Sequence, residues 1–346
     1  MGAHVATITH LHKGLGGRET TTIYSPTPEI FTRAGTWRTL PGATSDLAYG
    51  NVGLNWSYPH AYQMLNNAEK VFLLSHDGNT FEINTVGDGM ITKLTKKTFA
   101  SNPKLPSVMF SQGKLLSLRN GARAVVVDIN GSAPVISNTA TMSQQRLYSN
   151  ATVLADGKVM VNGGSSVGNV LDGAAYATEI WDPQTGQWTL GALAAKPRRY
   201  HSNSLLLQDG SVFTGGGGAP GPVRNMNAEI YYPPYLYDAD GNPAARPTLD
   251  GTPGALTLSN PAEQQFTATV GAADRVTQVT LLHTGSATHG ANLEQTFQKL
   301  LFVQDGATLT ITSPTNPNYT VPGDYLLFVF NENGVPSEAK IIRIFG

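Results

Sequence analysis

The chain reads as an all-β protein, a β-propeller followed by an immunoglobulin-like β-sandwich. Three observations predict it. Its 346 residues include 37 glycines and 21 prolines but only 14% charged residues, a composition of many short strands joined by tight turns. A short strand pattern recurs at near-constant spacing through the first two thirds of the chain, as repeated propeller blades require. After about residue 245 the pattern changes to alternating segments broken by frequent turn signals, which suits a sandwich.

The repeat is carried by Lys70-Val71-Phe72-Leu73, Lys114-Leu115-Leu116-Ser117, Lys158-Val159-Met160-Val161 and Ser211-Val212-Phe213-Thr214, spaced by 44, 44 and 53 residues. The preceding pairs Asn66-Asn67, Gln112-Gly113, Asp156-Gly157 and Asp209-Gly210 supply residues that tolerate the positive φ of tight hairpins. Gly163-Gly164 and the glycines of 215–218 predict strand ends where the backbone bulges or approaches the crowded axis. A later strand repeats as Glu179-Ile180-Trp181-Asp182-Pro183 and Glu229-Ile230-Tyr231-Tyr232-Pro233, with Pro28-Glu29-Ile30-Phe31 as a weaker copy. Trp37 and Trp188 follow such strands and are expected to pack between neighbouring blades. Four blades are legible, plus the outer half of one more before residue 45.

Residues 1–20 show no strand alternation and read as an irregular N-terminal tail; His4, His10 and His12 would make at most a loose metal cluster there. Residues 21–240 form the propeller portion, and Gly241, Pro243 and Pro247 mark a short rigid connector. Residues 245–346 form the sandwich, with strands predicted over 256–258, 265–270, 276–283, 299–303, 308–311, 325–330 and 339–344.

A formal net charge of −1 without a basic run argues against nucleic acid as a partner. The longest apolar stretches, such as 325–330, are far shorter than the roughly 20 residues a membrane-spanning helix needs. The N-terminus carries no basic-then-apolar export signal. There is no cysteine, so disulfides, thiolate nucleophiles and thioether crosslinks cannot form within the chain.

Chemistry is suggested where two blades differ. Arg198-Arg199-Tyr200-His201-Ser202-Asn203 leads to Asp209-Gly210, whereas Arg146-Leu147-Tyr148-Ser149-Asn150 leads to Asp156-Gly157, so the later copy holds one residue more between Tyr and Asp. An extra residue near a strand start predicts a β-bulge, which turns neighbouring side chains to one side. Tyr200 and His201 would then share a site as phenol and imidazole ligands to a borderline metal such as copper, or simply pack as a core pair. In the sandwich, His283 falls within a strand and reads as structural, whereas His289 follows Gly285 and Ser286 on a loop able to reach a domain junction.

The string from Arg199 through Tyr200, His201, Ser202, Ser204 and Asp209 to the glycines of 215–218, then Ala228-Glu229-Ile230 and Pro234-Tyr235-Leu236-Tyr237, resembles the last blade of the galactose oxidase and glyoxal oxidase family, the copper radical oxidases. Thr284-Gly285-Ser286-Ala287-Thr288-His289, Pro322-Gly323-Asp324-Tyr325 and Gly334-Val335-Pro336-Ser337 are similar to the C-terminal domain of that family, and Trp56-Ser57-Tyr58-Pro59 to a glyoxal oxidase strand start. The similarity is marked from about residue 145 onward and weaker between 20 and 145. It implies a kelch-like propeller with an early set (E-set) sandwich. Such rings have seven blades, so about four and a half visible blades imply an incomplete propeller, with sequence missing at the N-terminus, or an unusual closure.

The resemblance further implies one copper ion, held by Tyr200 as axial tyrosine and by His201 and His289, with Tyr200 the candidate catalytic residue. In the family a second tyrosine, crosslinked to cysteine, stores a radical. No position here matches that pair. Tyr24 is a weak substitute, reading better as a surface strand residue. The family reaction oxidises a primary alcohol or aldehyde and reduces oxygen to hydrogen peroxide; without the Tyr-Cys cofactor this chain alone is not expected to run it. The implied partner is a small alcohol or aldehyde, or a carbohydrate, and the implied location extracellular or periplasmic. The alternatives are a non-catalytic propeller-sandwich protein that binds carbohydrate or a surface partner, and a structural protein without metal.

Overall fold

The structure, a computed structural model, describes residues 5–7, 26–31, 35–49, 60–101, 104–260 and 263–345. His4, His10, His12, Tyr24 and the segment Trp56-Ser57-Tyr58-Pro59 lie outside the described residues.

Five antiparallel meander sheets follow one another as blades. Blade 1 has Val5–Thr7, Glu29–Phe31 and Trp37–Thr39. A three-residue strand thus lies in the stretch read as a tail. Blade 2 has His60–Gln63, Lys70–Leu74, Asn79–Asn84 and Met90–Lys97. Blade 3 has Ser107–Ser111, Lys114–Arg119, Arg123–Asp128 and Val135–Asn138. Blade 4 has Leu147–Val153, Val159–Ser165, Ala177–Trp181 and Trp188–Leu193. Blade 5 has Ser202–Leu206, Val212–Gly216 and Ala228–Tyr231.

Burial falls from the inner strands outward. Every residue of Val159–Ser165 is buried, whereas Trp188–Leu193 is half-buried to exposed. The inner strands are buried whether apolar or polar, and the outer ones are largely exposed. Fully burying a side chain such as Val159 or Val161 contributes roughly 1.5–3 kcal/mol. Between blades 4 and 5 the contact is polar: Asn150 Nδ2 donates to Ser202 Oγ at 2.8 Å, Thr152 Oγ1 meets Ser204 Oγ at 3.0 Å, and Asn162 Nδ2 donates to Thr214 Oγ1 at 2.9 Å. Each pair is 52 residues apart, one short of the 53-residue offset of the repeat, so a polar ladder joins staggered positions of the two blades.

The tryptophans divide differently from expectation. Trp37 is 55% exposed and, among the described residues, its ring meets Phe31 of its own blade. Trp181 is the inter-blade wedge: it is 1% exposed, packs edge-on against Phe110 of blade 3 at 4.9 Å, and donates from Nε1 to Thr139 Oγ1. Trp188 is half-buried against the same core and donates to the Ala140 carbonyl. Trp37 belongs to a three-stranded sheet of short strands.

The sandwich packs a five-stranded sheet, containing Ala255–Thr257, Val276–His283, Phe297–Leu300, Gly323–Asn331 and Lys340–Phe345, on a three-stranded one with Gln265–Thr269, Phe302–Asp305 and Thr308–Thr312. The single strand predicted over 299–303 is divided at Leu301, which is 78% exposed as the chain passes from one sheet to the other. One core cluster runs from blades 3 and 4 into the sandwich through Leu282, Phe297, Leu326 and Phe328. Gln295 ties the domains further, accepting from the Val153 amide and donating to its carbonyl.

Blade 2 buries His60 against His76, ring centroids 5.6 Å apart, near the buried Arg119. Burial first, then the charges of His76 and Arg119, lower the His60 pKa from 6.5 to about 3. The folded state keeps this imidazole neutral while the unfolded chain takes up the proton below pH 6.5. Its stabilising effect is thus complete above pH 6.5 and shrinks as the pH falls toward 3. From pH 6.5 to 4.5 the loss should be on the order of 2–3 kcal/mol. Urea midpoints at the two pH values should show that loss in the wild type and a clearly smaller one in His60→Phe; equal losses would exclude His60 as its source.

Candidate metal centre

Tyr200 and His201 do not lie within a strand. They are the central residues of a turn in which the Ser202 amide donates to the Arg199 carbonyl at 2.7 Å, immediately before the strand Ser202–Leu206. That strand pairs with Val212–Gly216 without a register shift, so the bulge expected from the extra residue is absent. What turns the side chains is His201 itself, at φ 65°. This left-handed conformation suits the third position of a turn but is costly for a residue with a Cβ. Blade 4 makes the same turn, with Ser149 donating to the Arg146 carbonyl and Tyr148 at φ 65°. The extra residue therefore enters upstream of the turn.

The glycine run makes room for it. Gly217 has φ 101°, and a Cβ there would stand 2.9 Å from Ser202 Cβ and 3.0 Å from the Arg199 nitrogen.

His289 comes from the other domain. Ala287–Thr288 and Ala291–Asn292 form a small hairpin whose two-residue turn, His289-Gly290, has φ of 52° and 80°. Positive φ at both central positions is the geometry that follows strand twist in two-residue hairpins, and a glycine second residue suits it. Gly290 also faces blade 4 closely: a Cβ would lie 2.7 Å from the Ser149 carbonyl oxygen. The hairpin is seated between the first strands of blades 4 and 5 and carries His289 to Tyr200 and His201.

The three predicted residues meet. Nε2 of His201 and Nε2 of His289 are 2.9 Å apart. The Tyr200 ring stacks on His201 with centroids 3.8 Å apart and lies 5.7 Å from the His289 ring. His201 Nδ1 is 2.8 Å from the Ala219 carbonyl, which can only accept, so Nδ1 carries the proton and the neutral ring keeps its lone pair on Nε2. His289 Nδ1 bonds Thr288 Oγ1 at 2.7 Å, leaving its Nε2 at the shared point. Burial, then the neighbouring His201, lowers the pKa of His289, which favours the neutral ring a metal requires.

This donor set fits a metal ion. Two imidazole nitrogens bound about 2.0–2.1 Å from one ion, at right angles, stand about 2.9 Å apart. Two imidazoles and a phenol are donors suited to copper, and hydrogen-bonded distal nitrogens of the kind seen at Ala219 and Thr288 commonly orient metal-binding histidines. Among the described residues no group of three His, Cys, Asp or Glu side chains assembles anywhere, and the donor set here is two histidines and a tyrosine.

His283, the other histidine of the segment, is 6% exposed, bonds the Thr284 carbonyl region through Nδ1 and packs edge-on against Tyr325, a structural role as expected. Tyr148 was not singled out from sequence. Its ring meets Tyr200 edge-on at 5.1 Å, with the Lys104 ammonium 5.0 Å above it. The available signal was its alignment with His201 in the repeated turn.

Residues 246–344 match the family model of the galactose oxidase-like early set domain. Galactose oxidase of Gibberella zeae is 28% identical over 356 aligned positions, which cover 93% of this chain and 50% of that protein. Aldehyde oxidase GLOX1 of Arabidopsis thaliana is 27% identical over 243 positions, covering 63% of this chain and 38% of that protein. The chain thus spans about half the length, or less, of these curated relatives. A solved fungal alcohol oxidase of the AA5 family, in complex with copper, shares the fold at a TM-score of 0.78 and 23% identity, over 94% of this chain and 72% of that one. The converging tyrosine and histidines thus sit in a chain whose residues 246–344 belong to the galactose oxidase-like early set domain and which is similar over most of its length to galactose oxidase.

Proposed function

We propose that the chain holds one copper ion through Tyr200, His201 and His289 and is a copper-radical-oxidase-like protein acting on a primary alcohol or aldehyde. The observation that carries this reading is the 2.9 Å approach of two Nε2 atoms from different domains, each ring anchored through its other nitrogen. Bound copper supplies one-electron redox chemistry and Lewis acidity. The chain's own residues set its surroundings: the Ala219 carbonyl orients His201, the hairpin positions His289, and Tyr200, stacked on His201, offers its Oη as ligand and as proton acceptor from a substrate hydroxyl. A two-electron alcohol oxidation needs a second one-electron centre. With no cysteine in the sequence, a Tyr-Cys pair cannot form from these residues, so we expect this chain alone not to turn over. We assign it an extracellular or periplasmic setting by its relatives. Among the described residues no helix is long and apolar enough to cross a membrane.

The test is elemental analysis and electron paramagnetic resonance of protein loaded with Cu(II) and dialysed. About one copper per chain, with hyperfine structure from two nitrogens, is the expected result. No retained copper would overturn the metal centre and favour the second reading, a non-catalytic carbohydrate-binding protein. That reading draws on a cleft of about 360 Å³ at the outer strands of blades 4 and 5, where Tyr231, Tyr232 and Tyr237 offer aromatic faces.

A further inference from the structure

Two arginines precede the candidate centre, and among the described residues only one has a counter-charge. Arg198 repeats in blade 5 the role of Arg146 in blade 4. Arg146 pairs with Glu179 and donates to the carbonyls of Gly163 and Ala177; Arg198 pairs with Glu229 and donates to those of Gly216 and Asn227. Arg199 is the second arginine of the pair. By backbone it takes the first place of the turn, as Arg146 does, but the ion pair has gone to its neighbour.

The Arg199 side chain is 0% exposed, yet Nε, Nη1 and Nη2 all lack a hydrogen-bond partner among the described residues. Arg119 and Arg198 leave only Nε unpartnered. A guanidinium stays protonated at any physiological pH, so it cannot relieve burial by losing its charge. A buried charge without a partner is strongly destabilising, and an unsatisfied buried donor points to a missing ion or water. Burial lowers the Arg199 pKa, and among the described residues the Tyr176 phenol is the neighbour that opposes the shift. Among the described residues no carboxylate pairs with it.

We propose that Arg199 is an anion-binding residue that takes a small carboxylate against its guanidinium, directly before Tyr200 and His201 in the chain. The planar fork of N–H donors matches a carboxylate in two parallel hydrogen bonds, which chloride or water cannot reproduce. Under the copper reading, on which this last step alone rests, the favoured substrate is an alcohol or aldehyde that also carries a carboxylate.

The experiment uses metal-free protein in EDTA and titrates acetate, with sodium chloride at equal ionic strength as reference, by calorimetry and thermal unfolding. Wild type should bind about one acetate per chain, and its melting temperature should climb with the logarithm of acetate concentration. Arg199→Leu should lose both responses and, in acetate-free buffer, melt at or above wild type. Arg199→Lys, which keeps the charge but not the fork, should bind at least about ten-fold more weakly; that comparison decides the matter if the leucine variant does not fold. No acetate response in wild type, or an undiminished one in the variants, would overturn the proposal. Because copper is absent throughout, the outcome is independent of whether the metal centre exists.

Discussion

Glu179→Ala is expected to destabilise the protein by about 3–5 kcal/mol, the cost of leaving a buried charge without its partner. Arg146 and Glu179 have side-chain exposures of 0% and 2%, with Nη2 2.8 Å and Nε 2.9 Å from the same carboxylate oxygen. The carboxylate also accepts from the amide and hydroxyl of Ser143, so it joins the approach to blade 4 to that blade's third strand. Burial lowers the Arg146 pKa and Glu179 opposes that shift. Removing the carboxylate leaves the guanidinium with carbonyl partners only. Glu229→Ala is the internal control, since that carboxylate is 25% exposed and solvent screens part of the loss; about 1–2 kcal/mol is expected there. Urea unfolding of both variants and of Arg146→Met/Glu179→Leu checks the argument. The double replacement should recover much of the loss, and a single-variant cost below about 1 kcal/mol would show that the pair is not holding blade 4.

His289→Ala is expected to weaken copper binding by roughly 100-fold or more, because losing a ligand exceeds the 10–100-fold typical of losing its hydrogen-bond partner. Thr288→Ala, which removes the partner of Nδ1, should fall within that smaller range. Competition against a chelator of known affinity measures both, with circular dichroism confirming the fold. Since His289 sits at a half-exposed hairpin turn, its removal should leave unfolding midpoints nearly unchanged. Copper affinity unchanged by His289→Ala would remove the hairpin from the metal centre.

Repetition made the fold legible. Hairpin turns such as Asp156-Gly157 and Asp209-Gly210, at φ 90° and 80° on their glycines, and apolar runs such as Val159-Met160-Val161 carry local information that survives tertiary assembly. Trp37 and Trp181 were not separable in this way, because an indole beside a strand looks the same whether or not a neighbouring blade covers it. Tyr200, His201 and His289 were legible through motif resemblance, and the spacing of the two blades showed that something differed near residue 200.

The sequence by itself determined the strand periodicity, the succession of blades and sandwich, the absence of cysteine chemistry and the residue types offered to a metal. Only the tertiary structure decided how those residues meet. It replaced a bulge by a left-handed His201, because a turn's dihedral angles are set by the glycine run packed against it. It brought His289 across 88 residues of sequence to within 2.9 Å of His201, a distance that depends on how the sandwich docks. It also left Arg199 buried without a counter-charge among the described residues, since which of two adjacent arginines reaches Glu229 is a matter of backbone direction that no local pattern encodes.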